Sequence, residues 1–306
     1  MMGRRPHAGG ELAGPPVGGR RGRLRRVNTP PTALLLLLLA TGCAATTSEP
    51  RGVVLADLTW QEAERRLTPE TVVVIPIGAG AKEHGPHLPL KNDFVLAEQL
   101  TRRVLAASDV VVAPALNYHY YPAFVAYPGS TTLRLETARD LLADICRSLA
   151  RHGPRRFYAL NTGVSTLRAL EPTAALLAAE GILLTYTDLL AALAPVEATV
   201  LQQEGGTHAD EGETSMMLYL DPTVVEMRRA VKDYHPKGAP GFTRDPNAPG
   251  TYSPTGTWGD PTLATREKGE RLVAAVVAAM LADIAALRAR PLPPVDAGAA
   301  TVAATP

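Results

Sequence analysis

Short apolar runs rich in β-branched residues alternate with longer segments of helical periodicity along most of the chain. Four such runs predict strands, and these are Val72–Ile77, Asp109–Ala113, Phe157–Asn161 and Ile182–Thr185. The first run is apolar at every position, which is typical of a strand buried on both faces of a parallel sheet.

The segments between and after these runs have apolar residues at helical spacing. They predict helices at Asp93–Ala106, Glu136–His152, Leu167–Glu180, Glu213–Leu220 and Thr265–Leu287. Strands that alternate with helices are typical of a parallel sheet covered on both faces, with right-handed crossovers. The pattern therefore predicts a single three-layer α/β/α domain with a mainly parallel sheet.

The N-terminal part of the 306-residue chain has a different composition. An Arg-rich segment precedes the apolar run Ala33–Ala40, which is too short to cross a bilayer and fits the apolar part of a signal peptide. The run ends at Ala40-Thr41-Gly42-Cys43, which resembles a bacterial lipobox. We expect cleavage before Cys43 and lipidation of its thiol. A plain secretory signal with an incidental cysteine is the alternative.

These features predict three parts of the chain. Residues 1–43 form the signal peptide with its lipidated cysteine, residues 44–291 form the α/β domain, and residues 292–306 form a disordered tail rich in Pro, Ala and Val. We expect an exported lipoprotein that is anchored to a membrane, in the periplasm or cell envelope. The net charge of +1 argues against nucleic acid as a partner.

One loop concentrates groups that bind metals or protons. It follows the first predicted strand and has the sequence AGAKEHGPHLPLKND at residues 79–93. Its imidazoles and carboxylates belong to Glu83, His84, His87 and Asp93. Because ligands in open α/β sheets bind beyond the carboxyl ends of the strands, this loop is a candidate metal or catalytic site.

Three segments resemble signatures of the creatininase (creatinine amidohydrolase) family. They are residues 79–93, HADEGETSMML at residues 208–218 and GDPTLATREKGE at residues 259–270. Together they frame nearly all of the predicted α/β domain. The resemblance implies an α/β fold and a metal-dependent amidohydrolase that acts on a C–N bond of a small cyclic or linear amide.

The resemblance also assigns roles to four residues. His84 matches a metal-binding histidine, and Asp93 matches the carboxylate that bridges two ions. His208 matches an acid or base, and Glu213 matches the carboxylate of the same segment. We therefore expect His84, Asp93 and Glu213 as metal ligands and His208 as the proton shuttle.

Two positions depart from the family pattern. Lys82 stands where the family has a metal-binding glutamate, and Gly163 stands where it has a metal-binding histidine. Since an ammonium group repels a metal ion, the usual two-metal centre cannot assemble. We expect one divalent ion, Zn, Mn or Fe, with Lys82 as an electrostatic contributor to catalysis. The alternative is a site without metal, in which the charge of Lys82 holds Asp93 or a substrate anion.

Two long irregular segments, residues 117–132 and 232–261, are rich in aromatic and turn residues. Loops of this length are usually functional, and aromatic side chains are typical of small-molecule pockets. The candidate substrate-binding residues are Tyr118, His119, Ser130 and Trp258. Ordinary packing of the loops is the alternative. His119 is also a candidate replacement ligand, and His87 either braces its loop or binds metal.

Two hypotheses for the function follow. The first is a membrane-anchored creatininase-family hydrolase that cleaves an amide-like C–N bond of a small molecule at a remodelled mononuclear metal site. The second is a catalytically inactive relative that keeps the fold and acts as a binding or assembly protein. The expected partners are a small-molecule substrate and, through the lipid anchor, a membrane. The resemblance also makes a homo-oligomer a candidate assembly.

Overall fold

A parallel five-stranded sheet forms the centre of the computed structural model, which describes residues 50–235 and 242–294. Its strands are β1 (Val53–Val54), β2 (Val72–Ile77), β3 (Val111–Val112), β4 (Arg156–Asn161) and β5 (Leu183–Tyr186). They lie in the order β1-β3-β2-β4-β5, and every neighbouring pair is parallel. All six residues of the central strand β2 are buried, as its uniformly apolar sequence predicts.

Helices cover both faces of this sheet. They are α1 (Trp60–Arg66), α2 (Asn92–Ala107), α3 (Leu135–Ala150), α4 (Leu167–Ala178), α5 (Leu189–Val200), α6 (Glu211–Leu220) and α7 (Arg266–Ala289). Val72 and Val74 of β2 pack into a core with α2, α5, α6 and α7, whereas Val73 and Ile75 pack into a second core with α3 and α4. This arrangement confirms the predicted three-layer α/β/α fold.

All predicted strands and helices are present, with ends that differ by no more than two residues. The sequence analysis missed β1, α1, α5 and a short pair formed by β6 (Phe242–Thr243) and β7 (Thr251–Tyr252). Helix α1 does have a sequence signal, because Thr59 and Glu62 form a capping box at its start. Helix α5 is apolar almost throughout and contains Pro195, so it lacks the polar face that marks an amphipathic helix.

Helix α6 packs closely against α7, and this packing positions the first turn of α6. A Cβ atom at Gly269 would collide with the carbonyl oxygen of Ser215, so the close approach requires glycine. The Thr265 side chain caps α7, and the Lys268 ammonium group pairs with the buried carboxylate of Glu211 in α6. Residues 259–270 therefore have a structural role, since they hold α6 in place.

Within the described ranges, α7 is the one helix long and apolar enough to cross a membrane by length and composition. The same helix contributes Leu272, Val276, Met280 and Ile284 to the core beside the sheet. A core helix passes the same test of length and composition, and this packing favours that interpretation. The predicted signal peptide, residues 1–43 with Cys43, and tail residues 295–306 lie outside the described residues.

Candidate active site

The site forms where β2 and β4 end side by side. Ile77 and Asn161, the last residues of these strands, are paired in the sheet. The Thr162 hydroxyl donates hydrogen bonds to the carbonyl oxygens of Ile77, at 3.1 Å, and Asp93, at 3.2 Å. The loop after β2, the segment after β4 and the start of α2 therefore meet at the carboxyl edge of the sheet.

The loop after β2 is held by its neighbours. Gly85 has a φ of 67°, in the left-handed region that favours glycine. The Ser130 hydroxyl accepts a hydrogen bond from the Glu83 backbone N–H at 2.9 Å. His87 Nε2 lies 2.8 Å from the Thr214 hydroxyl of α6, and burial lowers the pKa of His87 to about 4. His87 thus braces the loop against α6 as a neutral ring.

A buried ion pair lies at the centre of the site. Lys82 Nζ is 2.6 Å from Asp93 Oδ2, and the two side chains are only 5% and 1% exposed. The Lys82 ammonium group also lies 4.7 Å from the Phe124 ring centroid, within the range of a cation–π contact. Burial alone would raise the pKa of Asp93, but Lys82 and then His84 hold that pKa well below its usual range.

His84 is bound at both ring nitrogens. Its Nδ1 lies 2.8 Å from the Lys82 carbonyl oxygen, which can only accept a hydrogen bond, so Nδ1 carries a proton. Its Nε2 lies 2.7 Å from Asp93 Oδ1 and 3.4 Å from Glu213 Oε1. Burial, the largest single influence, and the Lys82 charge oppose the charged ring, but the Asp93 and Glu213 carboxylates together outweigh them, and the pKa of His84 is raised. In this arrangement Nε2 holds a proton that a metal ion would displace.

Glu213 is oriented by the start of its own helix. Asp210 caps α6 and accepts a hydrogen bond from the Glu213 backbone N–H at 2.9 Å. Ala209 has a φ of 48°, which is uncommon for a residue with a side chain, and its backbone N–H donates to Glu213 Oε2 at 2.8 Å. Asn92 Nδ2 donates to Glu213 Oε1 at 2.9 Å. The carboxylate is therefore fixed against both histidines.

His208 lies on the other side of Glu213. Its Nε2 is 2.9 Å from the Glu83 carbonyl oxygen and 3.2 Å from Glu83 Oε2, so Nε2 carries the proton. Its Nδ1 is 3.9 Å from Glu213 Oε2. Glu83 was one of the carboxylates noted in this loop but was assigned no specific role, and its contacts with His208 show that it orients that ring.

The ligand atoms of His84, His208 and Glu213 all lie within 4.8 Å of one another. Each histidine has one ring nitrogen against a backbone carbonyl and the other within 4 Å of a Glu213 oxygen, although Nε2 of His84 lies closer still to Asp93 Oδ1. Metal-binding histidines typically have such an outer hydrogen bond, which fixes the ring and its tautomer. Three ligands of these types fit one divalent ion that keeps an open position.

This grouping differs from the ligand set expected from the sequence. We expected Asp93 as a ligand and His208 as a proton shuttle, whereas the structure groups His208 with His84 and Glu213. Asp93 is instead engaged by Lys82 and His84. A Cβ atom at Gly163 would lie 3.8 Å from Asp93 Oδ2, the oxygen that Lys82 binds. The position of the missing histidine therefore adjoins the Lys82–Asp93 pair.

A cavity of about 610 Å³ opens onto these residues. Lys82, Asp93, His208 and Glu213 line it, and so does Trp258, one of the predicted substrate-binding residues.

The structure places the other three predicted substrate-binding residues elsewhere. Tyr118 is 52% exposed and lies outside the lining of the cavity. His119 is fully buried away from the cavity, and burial lowers its pKa to about 4. The Ser130 hydroxyl accepts a hydrogen bond from the Glu83 backbone N–H. Phe124 and Phe242 line the cavity instead.

Comparisons with known proteins agree with this geometry. The sequence model of the family described as "Creatininase: Creatinine amidohydrolase" matches residues 56–284. A creatinine amidohydrolase of Pseudomonas putida is 30% identical over 243 residues, which cover 73% of this chain and 92% of that protein.

A second relative has a different substrate in its name. It is a mycofactocin precursor peptide peptidase of Mycobacterium tuberculosis (strain CDC 1551 / Oshkosh), 32% identical over 218 residues, which cover 67% of this chain and 81% of that protein. Among solved structures, one named "Creatininase Mn" has a TM-score of 0.65 and 27% identity, over 76% of this chain and 97% of that chain.

The buried ion pair generates a stability prediction. Replacing Lys82 by methionine leaves the Asp93 carboxylate buried without its closest cation, so K82M should lower the free energy of unfolding by about 3 to 5 kcal/mol. Lys91 is exposed on the same loop, and K91M should change the free energy of unfolding by no more than about 0.5 kcal/mol. Urea denaturation in the presence of a chelator measures both values. Equal losses in the two variants would contradict this account of the pair.

Proposed function

This chain belongs to the creatininase family of hydrolases, and on that premise we propose that it hydrolyses a C–N bond of a small amide-like molecule at a mononuclear metal site. The observation that carries the proposal is the convergence of His84, His208 and Glu213 beside the Lys82–Asp93 ion pair. His208, Glu213, Lys82 and Asp93 line one cavity, and His84 lies buried behind them. The names of both relatives, an amidohydrolase and a peptidase, describe hydrolysis of C–N bonds.

His84, His208 and Glu213 are the residues that would hold a divalent ion such as Zn, Mn or Fe. A divalent ion supplies Lewis acidity toward a carbonyl oxygen and lowers the pKa of water. The protein holds the three ligands in place before the ion arrives, because Asn92 and Ala209 fix the Glu213 carboxylate through hydrogen bonds.

Lys82 supplies the second positive charge of the site in this proposal. Its ammonium group is buried, lines the cavity and lies 2.6 Å from Asp93 Oδ2. An ammonium group has three N–H donors, more than its pairing with one carboxylate oxygen requires. The remaining donors are available to a substrate oxygen that gains negative charge during hydrolysis. Fixed charges of this kind act strongly in a site that excludes water. Asp93 positions Lys82 and His84 together, since each of its oxygens binds one of them.

Metal analysis and hydrolysis assays test the proposal together. Wild-type protein reconstituted with Zn, Mn or Fe should bind about one equivalent of metal, the number that three protein ligands support. H84A and H208A should lose both the metal and the hydrolysis of amides, because each removes a ligand. H87A is the matched control and should keep the metal, since His87 contacts Thr214 outside the ligand set.

Elemental analysis and the release of amine from a panel of small amides provide the two readouts. Retention of metal in both H84A and H208A would contradict the ligand assignment. Wild-type protein that binds no metal after reconstitution and hydrolyses no amide would favour the second hypothesis, a catalytically inactive binding or assembly protein. The Lys82–Asp93 pair supports that second candidate as well, because it balances the charge of Asp93 without a metal ion.

We also propose that the chain is exported and anchored to a membrane through a lipid on Cys43. The support comes from the sequence alone, in the basic segment, the apolar run and the small residues that precede this cysteine. A single acyl chain gives only marginal membrane binding, so stable anchoring requires the additional chains that a lipoprotein carries.

Metabolic labelling with radioactive palmitate in a bacterial host tests the anchor. The wild-type chain should incorporate label and sediment with membranes, and C43S should do neither. C146A is the control that keeps the label, because Cys146 lies on the buried face of α3 in the core. Label that persists in C43S would contradict the assignment.

A further inference from the structure

Besides the polar site, the lining of the cavity includes a set of aliphatic side chains from the core. These side chains belong to four different helices, α2, α5, α6 and α7, and they are Leu96, Leu100, Leu193, Met216 and Val276. We call this set the aliphatic chamber. Its members also belong to the hydrophobic core on this face of the sheet, and Leu100 and Val276 are each only 1% exposed. The chamber therefore lies deep in the domain.

The size of the cavity exceeds what an amide group needs. An apolar cavity of about 150 Å³ is large enough to bind benzene, and this cavity measures about 610 Å³. Cavities of roughly 300 to 1,000 Å³ are typical of sites for small molecules. A substrate with its amide at the polar end thus has room for a substituent.

The chemistry of the chamber selects the kind of substituent. A polar group placed against aliphatic side chains would lose hydrogen bonds to water without replacing them, which costs free energy. An aliphatic group would instead exchange water contacts for contacts with Leu193, Met216 and their neighbours. Burial and then the nearby Asp210 raise the pKa of Glu197, which also lines the cavity, and this shift agrees with a weakly polar surrounding.

We propose that the substrate of this site is an amide that carries an aliphatic chain, with the amide at Lys82, His208 and Glu213 and the chain in the aliphatic chamber. This inference rests on the proposed function, whose site lines the same cavity. It names the substrate class that the proposed function leaves open.

A homologous series of primary amides from acetamide to decanamide tests the inference. Binding is measured by isothermal titration with the full protein, once after treatment with chelator and once after metal reconstitution. The affinity should rise about fourfold for each added methylene until the chamber is full, in both metal states. In the reconstituted protein, kcat/KM for amide release should rise along the same series.

Two variants locate the effect. L193W places a larger side chain in the chamber, so the affinity should stop rising at a shorter amide chain length than in the wild-type protein. A194W is the matched control, because Ala194 is the exposed neighbour of Leu193 on α5 and lies outside the lining of the cavity. Circular dichroism verifies that both variants are folded. If L193W does not fold, the wild-type series still decides, since it requires no variant.

The two ideas fail in different ways. Metal binding and hydrolysis of short amides without any gain for longer chains would overturn the aliphatic chamber and leave the proposed function standing. An affinity that rises with chain length, in a protein that binds no metal and hydrolyses no amide, would support the aliphatic chamber and overturn the proposed function. An equal effect of L193W and A194W on the chain-length limit would also overturn the inference.

Discussion

The rest of the site depends on the buried ion pair between Lys82 and Asp93. Each charge alone would be costly at this depth, because removing one partner of a buried pair leaves the other uncompensated. Asp93 lies in the first turn of α2, where the helix dipole favours a negative charge. Its other oxygen binds His84, so one carboxylate connects the loop after β2, the helix α2 and the first histidine of the candidate metal site.

The pair also bears on the number of ions in the proposed metal site. Lys82 holds a positive charge 2.6 Å from Asp93 Oδ2, and a Cβ atom at position 163 would lie 3.8 Å from the same oxygen. In the proposed mononuclear site, the lysine adds a cation and the glycine offers no ligand beside the same carboxylate. The ligand atoms of His84, His208 and Glu213 are grouped within 4.8 Å of one another, and His84 binds the other oxygen of Asp93.

Much of the fold and part of the site could be predicted from the sequence. The alternation of buried strands and amphipathic helices was sufficient to predict the three-layer fold, because the strand and helix patterns can each be recognised within a short segment of sequence. Helix α5 was missed because it is apolar on nearly all sides, and its apolar surface packs into the core and lines the cavity. The segments that carry His84 and Glu213 were identified by their motifs, and the structure brings these residues together.

The partners within the site could not be predicted in the same way. The contact between His208 and Glu83 joins residues 125 positions apart, so no local pattern encodes it. His119 and Ser130 both belong to the long aromatic loop. The path of that loop buries the His119 side chain, and it places the Ser130 hydroxyl where it accepts a hydrogen bond from the Glu83 backbone. A loop residue faces a cavity or the core according to tertiary packing, which composition does not determine.

The most direct test of this account compares the metal content of the wild-type protein with that of the K82E/G163H double variant, both reconstituted with the same divalent ion. If Lys82 takes the place of a second ion, the wild-type protein should bind one equivalent, and the double variant, which exchanges the cation for two ligands around Asp93, should bind two. Two equivalents in the wild-type protein, or equal metal content in both proteins, would contradict the account.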